Sequence, residues 1–181
     1  METNRLIIRK FEDRDYSDLY DYLSNKEVLR YEDQKTSSLE ECKKLAHERT
    51  NSDNFIAVCL KENNRLIGHI YLRKLLPYEN LTWEIGYIFN NKYWKKGYAT
   101  EAVNKILEYL FTELRAHRVV ARCDTRNIAS WKLMKKIGMK QEACYRKNTF
   151  YKKYMLLSKQ EIEWYDTYHY SILDEEWVGN R

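Results

Sequence analysis

Proline is nearly missing from this chain: Pro77 is the one proline in 181 residues, and glycine occurs five times. So few breakers leave no Pro- or Gly-rich linker and no low-complexity tract, and no internal repeat is present. One domain spanning 1–181 is the expectation, long enough for a sizeable core. The scarcity of glycine excludes two phosphate-binding motifs. No G-x-x-x-x-G-K-S/T run exists, and Gly97 lacks the neighbouring glycines of a dinucleotide fingerprint. The four cysteines, Cys42, Cys59, Cys123 and Cys144, form no C-x-x-C pair and have no metal-ligand spacing with histidine. Reduced thiols and no metal site are expected, with Cys59 and Cys123 packed in strands. No apolar run approaches the ~18–20 residues of a membrane span, and no signal-peptide pattern opens the chain. A cytoplasmic protein with no membrane partner is expected.

Charge is not missing. Lys and Arg number 32 against 27 acidic residues, a net +5. The basic residues are scattered and form no tract, which argues against a nucleic-acid partner and suits either an anionic ligand or a merely soluble surface. Sixteen Tyr and five Trp combine apolar bodies with polar tips, useful in clefts as well as cores. With 44% hydrophobic residues, disorder is excluded.

Periodicity outlines the elements. Arg5–Lys10 reads as a strand, and Tyr16, Leu19, Tyr20 and Leu23 fall at helical spacing. Ser37 followed by Glu40 predicts a capping box that opens a helix reaching about Thr50. Strands 55–60, 66–72 and 83–89 follow as a meander, with Asn63-Asn64 in the first turn. Ala99, Ala102, Val103, Ile106, Leu107, Leu110, Phe111 and Leu114 share one helical face. A strand 118–124, a helix from Asn127 to Ile137 closed by Gly138, and strands 139–150 and 164–173 complete the pattern. A longer excursion is expected over 151–160. The result is an α+β fold with a mixed sheet of about six or seven strands.

The stretch Tyr93-Trp94-Lys95-Lys96-Gly97-Tyr98-Ala99-Thr100-Glu101-Ala102 joins a strand to the strongest helix. Gly97 permits close backbone approach, and Ala99 leaves little side chain in the way. Amides of Lys95, Lys96, Gly97, Tyr98, Ala99 and Thr100 could surround a pyrophosphate at the positive end of the helix dipole. An ordinary helix entry has the same sequence.

Together with Trp83-Glu84-Ile85-Gly86-Tyr87, this stretch resembles the acetyl-CoA motif of the GCN5-related N-acetyltransferase (GNAT) superfamily. It looks most like the ribosomal-protein N-terminal acetyltransferase group. Asn127-Ile128-Ala129-Ser130 with Lys136-Ile137-Gly138-Met139 resembles a second family element, and Trp164–Leu173 with Glu176-Trp177 resembles its closing strand. The likeness covers nearly the whole chain, in order. It implies a GNAT-type sheet flanked by about four helices, with acetyl-CoA as co-substrate and a primary amine as acceptor. The acceptor class stays open among a protein N-terminus, an aminoglycoside-like antibiotic and a small polyamine. Monomer and homodimer are both compatible.

Site roles follow from that resemblance. Backbone groups of Ile88, Phe89 and Asn90 would pair with the pantetheine arm, and Asn127 and Ser130 would contact it from the following helix. Lys132 and Lys135 would reach phosphate oxygens or form a solvated face. Glu84 is the candidate general base: it sits mid-strand opposite Trp83, Ile85 and Tyr87, and burial should raise its pKa. The alternative is a Glu paired with a neighbouring Arg or Lys. The tyrosine that serves as general acid in many relatives falls at Met134, and a thioether cannot donate a proton. Tyr145, Tyr168 and Tyr170 are the substitutes, with Tyr170 on the strand that the family places near the thioester. Tyr31 and Glu32 are expected to line the acceptor cleft, with Asp33 beside them. His69 and His169 read as structural. Met134 also keeps open a non-catalytic acyl-CoA sensor, and the basic, aromatic surface a nucleic-acid module.

Overall fold

The computed structural model describes residues 1–33, 36–151 and 163–178. Its strands are β1 (Leu6–Arg9), β2 (Phe55–Leu60), β3 (Leu66–Lys74), β4 (Thr82–Phe89), β5 (Arg118–Asp124), β6 (Lys140–Thr149) and β7 (Tyr165–Leu173). Its helices are α1 (Tyr16–Leu23), α2 (Leu39–Thr50), α3 (Tyr98–Thr112), α4 (Ile128–Lys136) and α5 (Asp174–Val178). The expected α+β class holds. The fifth helix, one short turn after β7, exceeds the expected four. The excursion expected over 151–160 lies outside the described residues beyond Tyr151, as does Gln34.

The seven strands form one sheet in the order β1-β2-β3-β4-β5-β7-β6. The first four run as an antiparallel meander, and β5 joins β4 in parallel through the α3 crossover. β7 then inserts between β5 and β6, antiparallel to both.

Each face of the sheet carries its own core. On one side Ala102, Val103, Ile106, Leu107 and Leu110 of α3 and Met134 of α4 pack on Ile70, Leu72, Ile85, Phe89 and Val119. On the other, Leu19, Tyr22 and Leu23 of α1 and Cys42 and Ala46 of α2 pack on Ala57, Cys59 and Leu66. The α3 face follows the predicted 3.6-residue spacing, because apolar side chains one turn apart must share the buried stripe.

The α2 cap is shifted by one residue from the expectation. Ser38, not Ser37, accepts the Glu41 N–H at 3.2 Å, and Glu41 accepts the Ser38 N–H at 2.6 Å. Ser37 is buried instead, its N–H held by the Leu23 carbonyl at 3.0 Å. Cys42, Cys59 and Cys123 are buried thiols, and Cys144 is exposed. Among the described residues no cluster of three His, Cys, Asp or Glu could hold a metal ion, and no helix is long and apolar enough to cross a membrane.

Candidate active site

β4 and β5 part company halfway along their length. Their parallel pairing covers Thr82–Glu84 against Arg118–Val120, yet β4 continues to Phe89 and β5 to Asp124. The two strands therefore form a fork, open beyond Glu84.

Alternation decides which backbone groups face that fork. The Asn90 N–H donates to the Ile67 carbonyl at 2.9 Å, and the Leu75 N–H to the Thr82 carbonyl at 2.8 Å. In an antiparallel pair every second residue bonds the same neighbour. The even residues of β4, Ile88 and Glu84 included, thus bond β3, and the odd residues Ile85, Tyr87 and Phe89 turn toward the fork. The Phe89 carbonyl accepts the Trp94 indole N–H at 2.8 Å. This corrects the expectation for Ile88 and Asn90. Asn90 is buried, its carbonyl takes the Tyr93 N–H at 2.9 Å, and its side chain donates to Asp21 at 2.8 Å. It anchors the strand end and has no free backbone group for an arm.

Beyond Phe89 the chain turns into α3. Lys95 and Gly97 both have left-handed backbones, φ +60° and +83°. That curl directs successive N–H groups toward one side, as in an anion-binding nest. Among the described residues no acceptor takes the N–H groups of residues 95 to 100, and the Glu101 N–H returns to the Gly97 carbonyl at 3.0 Å. Lys95, Lys96 and Gly97 are exposed, whereas Tyr98, Ala99 and Thr100 are half-buried. Arg5 clamps the turn from below. It donates to the Lys96 carbonyl at 3.0 Å and to Glu101 at 2.7 Å, with its guanidinium 4.4 Å from the Tyr98 ring centre.

Across the fork, Asn127 caps α4 by accepting the Ser130 N–H at 3.2 Å. The Tyr87 hydroxyl reaches Ser130 Oγ at 3.1 Å and its carbonyl at 3.2 Å. The Cys123 thiol also bonds Ser130, and burial pushes that thiol up to about 11. Burial pushes the Tyr87 phenol above its usual value too. Met134 is buried in the same core. Lys132 and Lys135 are exposed beside the Trp131 ring, at 5.8 and 5.1 Å.

Among the described residues, the Tyr170 hydroxyl makes no hydrogen bond to this cluster. Tyr170 is fully buried, and its hydroxyl donates to Gln141 at 3.0 Å. The phenol expected as proton donor is thus engaged with Gln141, an exposed residue of β6.

On the opposite face of the sheet, where the fork begins, lies a cavity of about 340 Å³ lined by Leu75, Glu84, Val120, Arg122, Tyr145, Asn148 and His169. Glu84 is gripped from both flanking strands. Arg73 of β3 donates to one carboxylate oxygen at 2.5 Å, and Arg122 of β5 donates to the other at 2.5 and 3.0 Å. Burial pushes the Glu84 carboxyl up, but the two guanidiniums outweigh it and hold it below its usual value. The expected raised pKa is overturned, because strands three and five each bring an arginine into register. His169, read as structural from sequence, lines this cavity. Its buried Nδ1 has no partner among the described residues, and its Nε2 lies 3.7 Å from Glu142, beyond hydrogen-bond reach. Burial lowers its pKa, so the imidazole is neutral at pH 7. His69 is structural as expected, bonded to the Tyr22 hydroxyl at 2.7 Å.

Tyr31 is half-buried between two guanidiniums, Arg30 at 5.4 Å and Arg126 at 5.9 Å from its ring centre. Glu32 is half-buried beside it and Asp33 exposed. Sequence reasoning missed Arg5, Arg73, Arg122 and Tyr87. The β3–β4 hairpin register would have exposed the Arg73–Glu84 pair. Arg122 had no such signal, since its place depends on a crossover.

The profile of the acetyltransferase (GNAT) domain matches residues 5–140. The chain belongs to the GNAT acetyltransferase family. As a GNAT protein it is an N-acetyltransferase. An uncharacterized N-acetyltransferase of Bacillus subtilis strain 168, YnaD, is 40% identical over 177 residues, 97% of both chains. A solved GNAT acetyltransferase from Bacillus anthracis superposes with a TM-score of 0.87 at 35% identity, covering 97% of this chain and 99% of that one. The spermidine N-acetyltransferase of Vibrio cholerae, solved with CoA and spermine, shares the GNAT fold at a TM-score of 0.78 and 20% identity, over 97% and 99% of the chains.

Proposed function

We propose that this protein transfers the acetyl group of acetyl-CoA to a primary amine by direct attack in a ternary complex. The fork carries that reading: a gap between β4 and β5 that ends in a curl of unpartnered amides. An extended thioester arm fits such a gap as a surrogate strand, bonding Ile85, Tyr87 and Phe89. The amides of residues 95 to 100 would hold its pyrophosphate, aided by the dipole of α3. The Asn127 side chain and Ser130 would meet the arm from α4.

The amine would enter from the cavity on the other face and attack the thioester carbonyl carbon. The C–N bond forms, the C–S bond breaks, and the thiolate leaves toward α4. Met134 cannot protonate it, and Tyr170 is engaged with Gln141. The Ser130 hydroxyl, backed by Tyr87, would donate a hydrogen bond that stabilises the thiolate until solvent protonates it. For the incoming ammonium, His169 Nε2 is the proton acceptor that the cavity favours: the ring is neutral and Nε2 lies beyond hydrogen-bond reach of Glu142, while both oxygens of Glu84 are held by arginines. Glu84 is the runner-up, as a carboxylate at the start of the fork.

Thiol release from acetyl-CoA across a panel of amines tests the activity. Thermal stabilisation by acetyl-CoA with no turnover on any amine would replace the transferase reading with a sensor. The pH–rate profile tests the base. The acidic limb should vanish in His169→Gln and persist in Glu84→Gln; the reverse result transfers the role to Glu84.

A further inference from the structure

The acceptor cavity has a charge imbalance that an amine alone would not satisfy. Arg122 and Glu84 line it, and the ion pairs that adjoin them and His169 add Arg73, Arg118 and Glu142. Arg118 pairs with Glu142, and Arg73 and Arg122 share the single carboxylate of Glu84. Three guanidiniums thus face two carboxylates, and His169 adds no charge at neutral pH. One positive charge is left over among the described residues.

The arginine side chains retain donors to answer that charge. Arg122 uses Nε and one terminal nitrogen on Glu84, and Arg73 uses one terminal nitrogen. The rest of each fork is uncommitted, and both side chains are 48% exposed. Glu84 itself is only 12% exposed, and it ties the Arg73 guanidinium to that of Arg122 on the cavity lining. A guanidinium prefers a carboxylate bound through parallel N–H groups. The leftover charge matches one monoanion. A phosphate dianion would overshoot it, and a polycationic amine would be repelled.

We infer that the acceptor is an aminocarboxylate, an amine whose own carboxylate docks on Arg73 and Arg122. This rests on the acetyltransferase reading and narrows its substrate. Binding the carboxylate on these guanidiniums would point the amino group toward the fork, where the β4–β5 pairing ends at Glu84 and Val120. The same guanidiniums, by their charge, would favour the neutral amine over the ammonium.

The test uses matched pairs in the thiol-release assay. Amino acids with the amino group on the α, β or γ carbon are each compared with the amine left when the carboxyl group is removed. The expected result is at least one amino acid with kcat/KM roughly tenfold above its twin, about 1.4 kcal/mol of discrimination. Arg73→Gln should bring that ratio near unity by raising KM for the amino acid, and Arg73→Lys should restore part of it. Turnover with every pair equal, or with the bare amines favoured, overturns the aminocarboxylate class and leaves the transferase reading intact. An unchanged ratio in Arg73→Gln also overturns it. Acetyl-CoA binding without turnover on any member overturns the aminocarboxylate class, and the wider amine panel then decides the transferase reading.

Discussion

Arg5, the residue before β1, pairs with Glu101 in the first turn of α3. The guanidinium donates from Nε to one carboxylate oxygen at 2.7 Å, and the Arg5 N–H reaches the other at 3.1 Å. Thr3 adds a hydroxyl bond to the same carboxylate at 2.5 Å. Since Arg5 also holds the Lys96 carbonyl at 3.0 Å, one side chain fixes the entry and exit of the Gly97 curl.

Arg5→Ala should therefore act on the donor and spare the acceptor. Its loss frees the curl, so the amides must be ordered again when a pyrophosphate binds. KM for acetyl-CoA should rise roughly fivefold to tenfold, equivalent to about 1–1.4 kcal/mol, with kcat and the amine KM little changed. The pair is partly exposed, which caps its effect on stability at about 1 kcal/mol. Steady-state kinetics with each substrate varied separately would check this. A rise confined to the amine KM contradicts it.

His69 should make stability fall with acidification. It is buried against Tyr22, Phe11 and Phe55, and burial, reinforced by the Arg49 guanidinium, holds its pKa well below the ordinary value. The unfolded chain binds a proton near pH 6.5 that the folded chain refuses. The contribution is fully present above that pH. It is lost as pH falls from about 6.5 toward the lower folded pKa, at up to about 1.4 kcal/mol per pH unit. His69→Gln should lower stability at pH 7.5 by removing a packed ring, yet flatten the decline between pH 6.5 and 5. Denaturant melts at several pH values measure both, and identical slopes in the two proteins would discard the assignment.

Much of this architecture was legible in the residues. The α3 stripe from Ala102 to Leu110 and the meander over 55–89 follow from period alone. So does the place of the Gly97 curl between a strand and a helix. What period cannot supply is register. Whether Ile88 or Phe89 turns its backbone toward the fork depends on one hydrogen bond, Asn90 to Ile67, between strands that sequence reading merely placed side by side. The Glu84 carboxyl was misjudged for the same reason. Its local pattern shows a buried acid, but its two arginines stand 11 residues before and 38 after it. Their opposing effect on its pKa exists only once β3 and β5 flank β4. Tyr170 reads as an accessible phenol until Gln141 of β6 is seen across from it.

Two glycines face each other's strands with opposite tolerance. A Cβ on Gly68 of β3 would lie 2.6 Å from the Ile88 carbonyl oxygen and 2.6 Å from the Phe89 ring, so the backbone of β4 would have to move. A Cβ on Gly86 would meet nothing nearer than the Tyr71 Cβ at 3.8 Å, an ordinary contact. Gly68→Ala should cost about 1–3 kcal/mol as overpacking. At this chain length that lowers Tm by roughly 2–12 °C. Because the displaced segment is the one that turns toward the fork, KM for acetyl-CoA should rise more than KM for the amine. Gly86→Ala, two residues from Glu84 on the same strand, should leave Tm within about 2 °C, since it introduces no clash. Differential scanning calorimetry on both variants decides the point. Equal losses would mean that β4 tolerates displacement by the added methyl group.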